Sequence, residues 1–407
     1  MFRRTLFLGL CAILVVTASG LPGFRPVVAL AGGISYASQP DELGLYLNDV
    51  VFVRDTVILP PGTAYVALPP GTYPDTLILT ENGSRVREYR VAPQAADVYY
   101  GQVAYGGMST AYSGGRSAYV VTWDSPAAVS AEATREVKLE YLLSGAFWTP
   151  TYDMTILSDE RVQLAFFARI ENTGLVLDEA TVYLLAGRVD LSQQLDQTAQ
   201  MTFNQYAVGY AQTPVALPVL GAGTVDLQHV YPLGQVSARP GETLFVNLVD
   251  ETLDARRLHV WNAAAAQEVD VIYKVSNSTE TPLAEGIVRV YQEGLFMGSD
   301  FIETTPPGGE GSVTVGRLPD VRVRRGATET YQVEAGNDYT LHDVTLEVQN
   351  FGGQDLALTI LDAWNKDAWQ FEYSVTPERQ ANNLLRWEVS VPAGESLTIT
   401  YQYRTEY

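Results

Sequence analysis

Val50-Val51-Phe52-Val53, Thr56-Val57-Ile58-Leu59-Pro60-Pro61-Gly62 and Ala64-Tyr65-Val66-Ala67-Leu68-Pro69-Pro70-Gly71 decide the fold class. Short β-branched and aromatic runs stop at Pro/Gly turns, which return every eight to twelve residues or so, and helical periodicity is hard to find after the N-terminal segment. The pattern predicts an all-β chain of tandem antiparallel, immunoglobulin-like β-sandwiches behind a small N-terminal β domain. Outward from this stretch the same style continues. Glu136 to Leu143 alternates, Phe147-Trp148-Thr149-Pro150 and Tyr152 form an aromatic cluster, and Val162 to Ile170 with Ala180 to Leu185 read as a strand pair. The expected partition is a small β domain at 36–95, a Tyr/Gly-rich linker or loop at 96–119, a central sandwich region at 120–315 interrupted by a long loop at 192–224, and a C-terminal immunoglobulin-like sandwich at 316–407.

The N-terminus sets the expected compartment. Arg3 and Arg4 precede an apolar run from Leu6 to Val16, and Ala29-Leu30-Ala31 has the small-x-small form of a cleavage site. Residues 1–31 therefore read as a secretory signal peptide, too short in its apolar run to span a membrane. The expected location is the periplasm, the cell envelope or the extracellular space. Cys11 is the single cysteine, and Leu10 before it is not the small residue that lipoprotein processing needs. A cysteine-free mature chain must fold on hydrophobic cores alone.

With 47 acidic against 26 basic residues the formal net charge is -21, and only Lys138, Lys274 and Lys366 are lysines. A surface this acidic repels phosphate backbones, so nucleic acid is excluded as a partner class. An envelope protein or polysaccharide is the expected kind of partner; oligomeric state is left open.

One local pattern occurs three times. Ala168-Arg169-Ile170-Glu171-Asn172 leads into Val182 to Leu185, Tyr273-Lys274-Val275-Ser276-Asn277 into Gly286 to Val290, and Leu346-Glu347-Val348-Gln349-Asn350 into Leu356 to Ile360. Each reads as a strand ending in Asn, a short polar turn and a partner strand. The asparagines are expected to punctuate hairpins by bonding the backbone two residues on, and not to act as ligands.

These residues resemble the mucoidy-inhibitor-A-like family, exported β proteins carrying a domain of unknown function. Leu139-Glu140-Tyr141-Leu142-Leu143 through Trp148-Thr149-Pro150-Thr151-Tyr152-Asp153 is similar to its start motif, and Ala168 to Asn172 to its first Asn turn. Pro282-Leu283-Ala284-Glu285-Gly286 with Gly294, Phe296, Gly298 and Gly316 resembles its central block. Leu385-Arg386-Trp387, Pro392-Ala393-Gly394 and Tyr401-Gln402-Tyr403 resemble its end, and Val50 to Arg87 its leading domain. The heptad-rich coiled coil that many members carry is replaced here by the Tyr/Gly-rich 94–118. The resemblance implies architecture and export, and no chemistry.

No nucleophile elbow, phosphate loop, His-Glu-x-x-His or helix–loop–helix calcium loop is present in the sequence. His229, His259 and His342 stand at no metal-ligand spacing. Two arginine-rich strands are the candidate anion or glycan contacts: Arg256, Arg257 and His259 in one, Arg322 and Arg324 on one face of the other, with Arg as the bidentate donor. The competing reading is that these arginines offset local acidic charge. No cofactor is expected, apart from a structural calcium among acids such as Asp250, Glu251 and Asp254. The expected function is that of a non-enzymatic envelope scaffold or binding protein acting through sandwich surfaces and aromatic loops. The alternatives are an outer-membrane-associated β protein, favoured by the alternation of Leu397, Ile399, Tyr401 and Tyr403 before the terminal Tyr407, and a carboxylate-dependent hydrolase on a sandwich scaffold.

Overall fold

The computed structural model describes residues 29–30, 33–34, 40–59, 65–94, 118–124, 135–189, 223–225, 228–334, 337–381 and 383–406. The basic and apolar parts of the expected signal peptide, Cys11, and most of the two long loops at 96–119 and 192–224 lie outside these residues. Every described element is a β-strand, in agreement with the all-β expectation.

The chain forms two compact units that interleave in sequence. One comprises residues 1–148 and 170–244, the other 149–169 and 245–407. This differs from the linear partition expected, and strand pairing gives the reason. In the first unit an eight-stranded sheet runs in the order Gly223–Val225, Gln228–Ala238, Leu177–Leu185, Glu42–Leu45, Val51–Leu59, Arg135–Leu143, Thr72–Glu81, Ser84–Arg85. Val51–Leu59 pairs antiparallel with Arg135–Leu143 over its whole length, from Val51↔Leu143 to Leu59↔Arg135. The leading segment thus completes a sheet with strands beyond the expected linker. Alternation explains the fit: Val137, Leu139 and Tyr141 are buried while Glu136 and Lys138 face water. Pro69-Pro70-Gly71 turns as expected, with Gly71 at φ 92° and Thr72 N–H donating to Pro69 O at 3.4 Å. A smaller sheet joins Tyr65–Leu68, Ala118–Trp123 and Tyr89–Gln94.

The second unit holds the C-terminal sandwich. One layer is a four-stranded sheet in the order Val321–Glu334, Asn337–Asn350, Ser396–Glu406, Trp369–Tyr373. Facing it, Leu356–Ala363 and Leu384–Val391 pair antiparallel in a larger sheet that also contains Thr243–Asn262. Trp261, Leu346, Val348, Ile360, Trp387, Ile399 and Tyr401 interdigitate between the layers as one buried cluster. Trp148 and Trp387 are buried, and Trp369 is 42% exposed.

The three Asn motifs are not hairpins. None of the three strand pairs they join is hydrogen-bonded together: the strands on either side of Asn172, of Asn277 and of Asn350 each pair with other neighbours. Each asparagine is instead a buried clasp at an arch between strands. Its Oδ1 accepts from the backbone two residues on, from Gly174, Thr279 or Gly352, as Asn turns should. Its Nδ2 donates to the arch carbonyl of Leu175, Thr281 or Gln354 and to a distant carbonyl of Arg239, Thr305 or Val391. In all three cases the distant carbonyl sits at a Pro/Gly turn with a positive-φ glycine third: Arg239-Pro240-Gly241-Glu242, Pro306-Pro307-Gly308-Gly309 and Pro392-Ala393-Gly394-Glu395. The Asn backbone N–H donates to the last carbonyl of that turn, of Glu242, Gly309 or Glu395. The expectation of hairpin turns is corrected accordingly. The same local chemistry that closes a hairpin also satisfies the polar backbone of an arch, and only the long-range partners distinguish them.

Candidate functional site

The arginine-rich strand Thr243–Asn262 runs parallel to Leu356–Ala363, and the two pair only at Val260↔Thr359, Trp261↔Ile360 and Asn262↔Leu361. Before these residues they separate, and the gap is a wedge-shaped groove of about 960 Å³. Its walls include Arg256, Arg257 and His259 on one strand, Ala357 on the other, and the loop Gly352–Asp355.

Each wall is fixed by identifiable contacts. The tight turn at Asp159 and Glu160 accepts hydrogen bonds from Arg257 N and Ala255 N, at 2.9 and 2.7 Å. Arg257 Nη1 donates to Asp159 Oδ1 at 3.0 Å. His259 Nδ1 lies 3.1 Å from Ala357 O, so the imidazole crosses the wedge and ties the parted strands together. Burial, joined by the Arg257 charge, holds His259 below the usual histidine range despite the Ala357 carbonyl and Asp159. The ring is therefore neutral at pH 7, with Nδ1 as donor. His259 Nε2 and Arg257 Nε are shielded from solvent with no hydrogen-bond partner among the described residues. On the opposite side, Asp355 Oδ1 accepts from Ala393 N at 3.0 Å.

Of the five sequence-selected residues, the groove gathers Arg256, Arg257 and His259. Arg256 is 63% exposed and stands 4.0 Å from Glu310, an ion pair worth little in water. Arg322 and Arg324 lie outside the groove. Arg322 stacks 5.3 Å over the Phe351 ring, and Arg324 stands 3.9 Å from Glu347. Asp159, Asp320, Asp355 and Glu388 also line the groove, so carboxylates outnumber guanidinium groups. This electrostatic balance suits hydroxyl and amide groups better than a polyanion. Asp250, Glu251 and Asp254 all lie exposed on one strand, and among the described residues no group of three or more His, Cys, Asp or Glu side chains is placed to hold a metal ion.

Residues missed in the sequence include Asp159, which enters from a turn almost a hundred positions away from Arg257, and the Gly352–Gly353 pair, whose signal was its place just after the third Asn motif. A buried network also escaped notice. Arg325 Nε donates to both oxygens of Asp362, at 3.0 and 2.9 Å, and Tyr401 Oη donates to Asp362 Oδ2 at 2.8 Å. Burial pushes the Asp362 carboxyl up, against the opposing pull of Tyr401 and Arg325.

The resemblance motifs have structural roles in the same unit. Tyr152 Oη donates to Ala284 O at 2.6 Å, and Asp153 pairs with Arg289 at 2.7 Å. A Cβ on Gly286 would fall 2.6 Å from Pro150 O, so the start of this parallel strand pair admits only glycine. A family model described as a domain of unknown function, DUF4139, matches residues 137–407. The chain belongs to the DUF4139 family. This DUF4139 match starts at Val137, inside the strand that pairs with the leading segment. No curated protein matches the chain.

Proposed function

We propose that this DUF4139 chain is an exported, mucoidy-inhibitor-A-like protein of the cell envelope that binds a polysaccharide without catalysis, as a scaffold or retention module. The observation that carries the reading is the wedge groove, where an exposed Arg256 faces a loop bare of side chains at Gly352 and Gly353. An extended, hydroxyl-rich chain can lie along such a trough. Arg256 supplies an exposed guanidinium held only by a long contact to Glu310, while Asp320, Asp355 and Glu388 supply acceptors. The carboxylate excess favours a neutral glycan over an acidic one.

The test is fractionation of the native host's envelope through salt, carbonate and detergent washes, followed by co-sedimentation of the purified chain with the host's insoluble cell-wall polysaccharide. Release by salt or carbonate and co-sedimentation with the polysaccharide support the reading. Release by detergent alone contradicts it in favour of a membrane-inserted β protein. Co-sedimentation that requires envelope protein contradicts it in favour of a protein partner.

A further inference from the structure

Among the described residues the strand Val321–Glu334 is the end strand of its sheet and pairs along one edge only, with Asn337–Asn350, in an unshifted register from Val321↔Asn350 to Glu334↔Asn337. A free edge of fourteen residues is long, and exposed edges are usually blunted by bulges, prolines or a covering element. Here, among the described residues, no bulge, proline or paired element blunts the strand, and the charges it carries, which can also guard an edge, are of both signs. Backbone direction follows from the ladder. Phe351 N donates to Asp320 O at 2.8 Å, so the even-numbered residues form the hydrogen-bonded pairs with the neighbouring strand. The odd-numbered residues from Val321 to Val333 therefore turn their N–H and C=O groups to the open edge.

The side chains are polarised along the strand. Arg322 and Arg324 lie exposed in the first half, where Arg325 is turned inward onto Asp362; Glu329 and Glu334 lie exposed in the second, Glu334 also touching Arg404 at 2.9 Å. Tyr331 and Val333 project into solvent, 50% and 61% exposed. A strand positive at one end and negative at the other is complementary to itself when antiparallel. We propose that a second copy of this chain pairs edge to edge through Val321–Glu334, about a twofold axis at Thr328. In that register Arg322 opposes the mate's Glu334, Val323 opposes Val333, and Arg325 opposes Tyr331. The two open backbone ladders satisfy each other, and the exposed Val333 and Tyr331 gain cover. Centring on Ala327 instead would set Asp320 against Glu334, which like charge disfavours.

Sedimentation velocity on the full chain tests this. The wild type sediments as a concentration-dependent dimer. Ala327→Pro removes an outward N–H without touching the inner ladder, and it shifts the population to monomer. Register is read in a Cys11→Ser background. Thr328 meets its own copy as a non-hydrogen-bonded pair, with Cα atoms about 4.5 Å apart, so Thr328→Cys forms an intermolecular disulfide under mild oxidation. Thr330→Cys places the thiols roughly 13 Å apart along the strand and cross-links at least tenfold less, as an order-of-magnitude expectation. A monomeric wild type, a dimer indifferent to Ala327→Pro, or equal cross-linking of the two cysteine variants each overturns the proposal.

Discussion

The arches at Asn277 and Asn350 are built alike and end differently. Both asparagines are buried, both reach the carbonyl before a Pro/Gly turn, and both hold their own arch carbonyl at 2.8–3.0 Å. At Asn277 the arch is filled: Thr279 Oγ1 donates to Asn277 Oδ1 at 2.7 Å and caps the clasp with a side chain. At Asn350 the corresponding position is Gly352, followed by Gly353, and nothing stands within 4 Å of a Cβ placed on Gly353. The third arch thereby opens onto the groove, with Asn350 itself in the wall. A connection that is closed in one place becomes the wall of a groove in another where two side chains are missing.

If that contrast holds, the arches should respond differently to damage. The largest effect is expected for Asn277→Ala, which removes the acceptor of the Thr279 N–H and one of the donors to the Thr281 and Thr305 carbonyls in a closed arch. A loss of about 3 kcal/mol by urea unfolding is expected. Asp362→Asn should cost about 2–3 kcal/mol, because it leaves the half-buried Arg325 without its charge partner. Asn350→Ala should cost less than Asn277→Ala, about 2 kcal/mol, since groove water can reach the vacated site. Equal losses at Asn277 and Asn350 would erase the distinction between closed and open arch. Gly353→Thr should change stability by no more than about 0.5 kcal/mol, yet narrow the groove and weaken polysaccharide co-sedimentation.

The smallest effect concerns pH. His259 titrates lower in the fold than in the unfolded chain, so the unfolded state binds the extra proton between the two values. The stability it contributes is fully present above about pH 6.5 and is lost as pH falls toward the folded value. Thermal melts of wild type and His259→Gln between pH 7 and pH 5 should converge on acidification. A constant gap would mean that His259 is not held neutral.

Strand existence was legible in the sequence because alternation is local: Glu136 to Leu143 shows its buried face residue by residue. Pairing was less so. Val51–Leu59 meets Arg135–Leu143 across further strands and the Tyr/Gly-rich segment, and nothing in either run names the other. The Asn arches illustrate the same limit, since Asn-turn chemistry is identical whether the next strand folds back or crosses away. The groove was half legible. The arginines announced themselves by clustering in an acidic chain, but His259 and Ala357 lie 98 residues apart and only the split in the sheet joins them. Arg322 and Arg324 gave the same sequence signal and sit elsewhere, which shows that local basicity does not locate a site.

The groove as the binding surface is tested most directly by hydrogen–deuterium exchange on the full chain, with and without soluble fragments of the host's envelope polysaccharide. Slowed exchange confined to residues 256–259 and 350–358, and abolished by Arg256→Ala, is the expected result. Binding that protects another surface, or that Arg256→Ala leaves unchanged, would contradict the account.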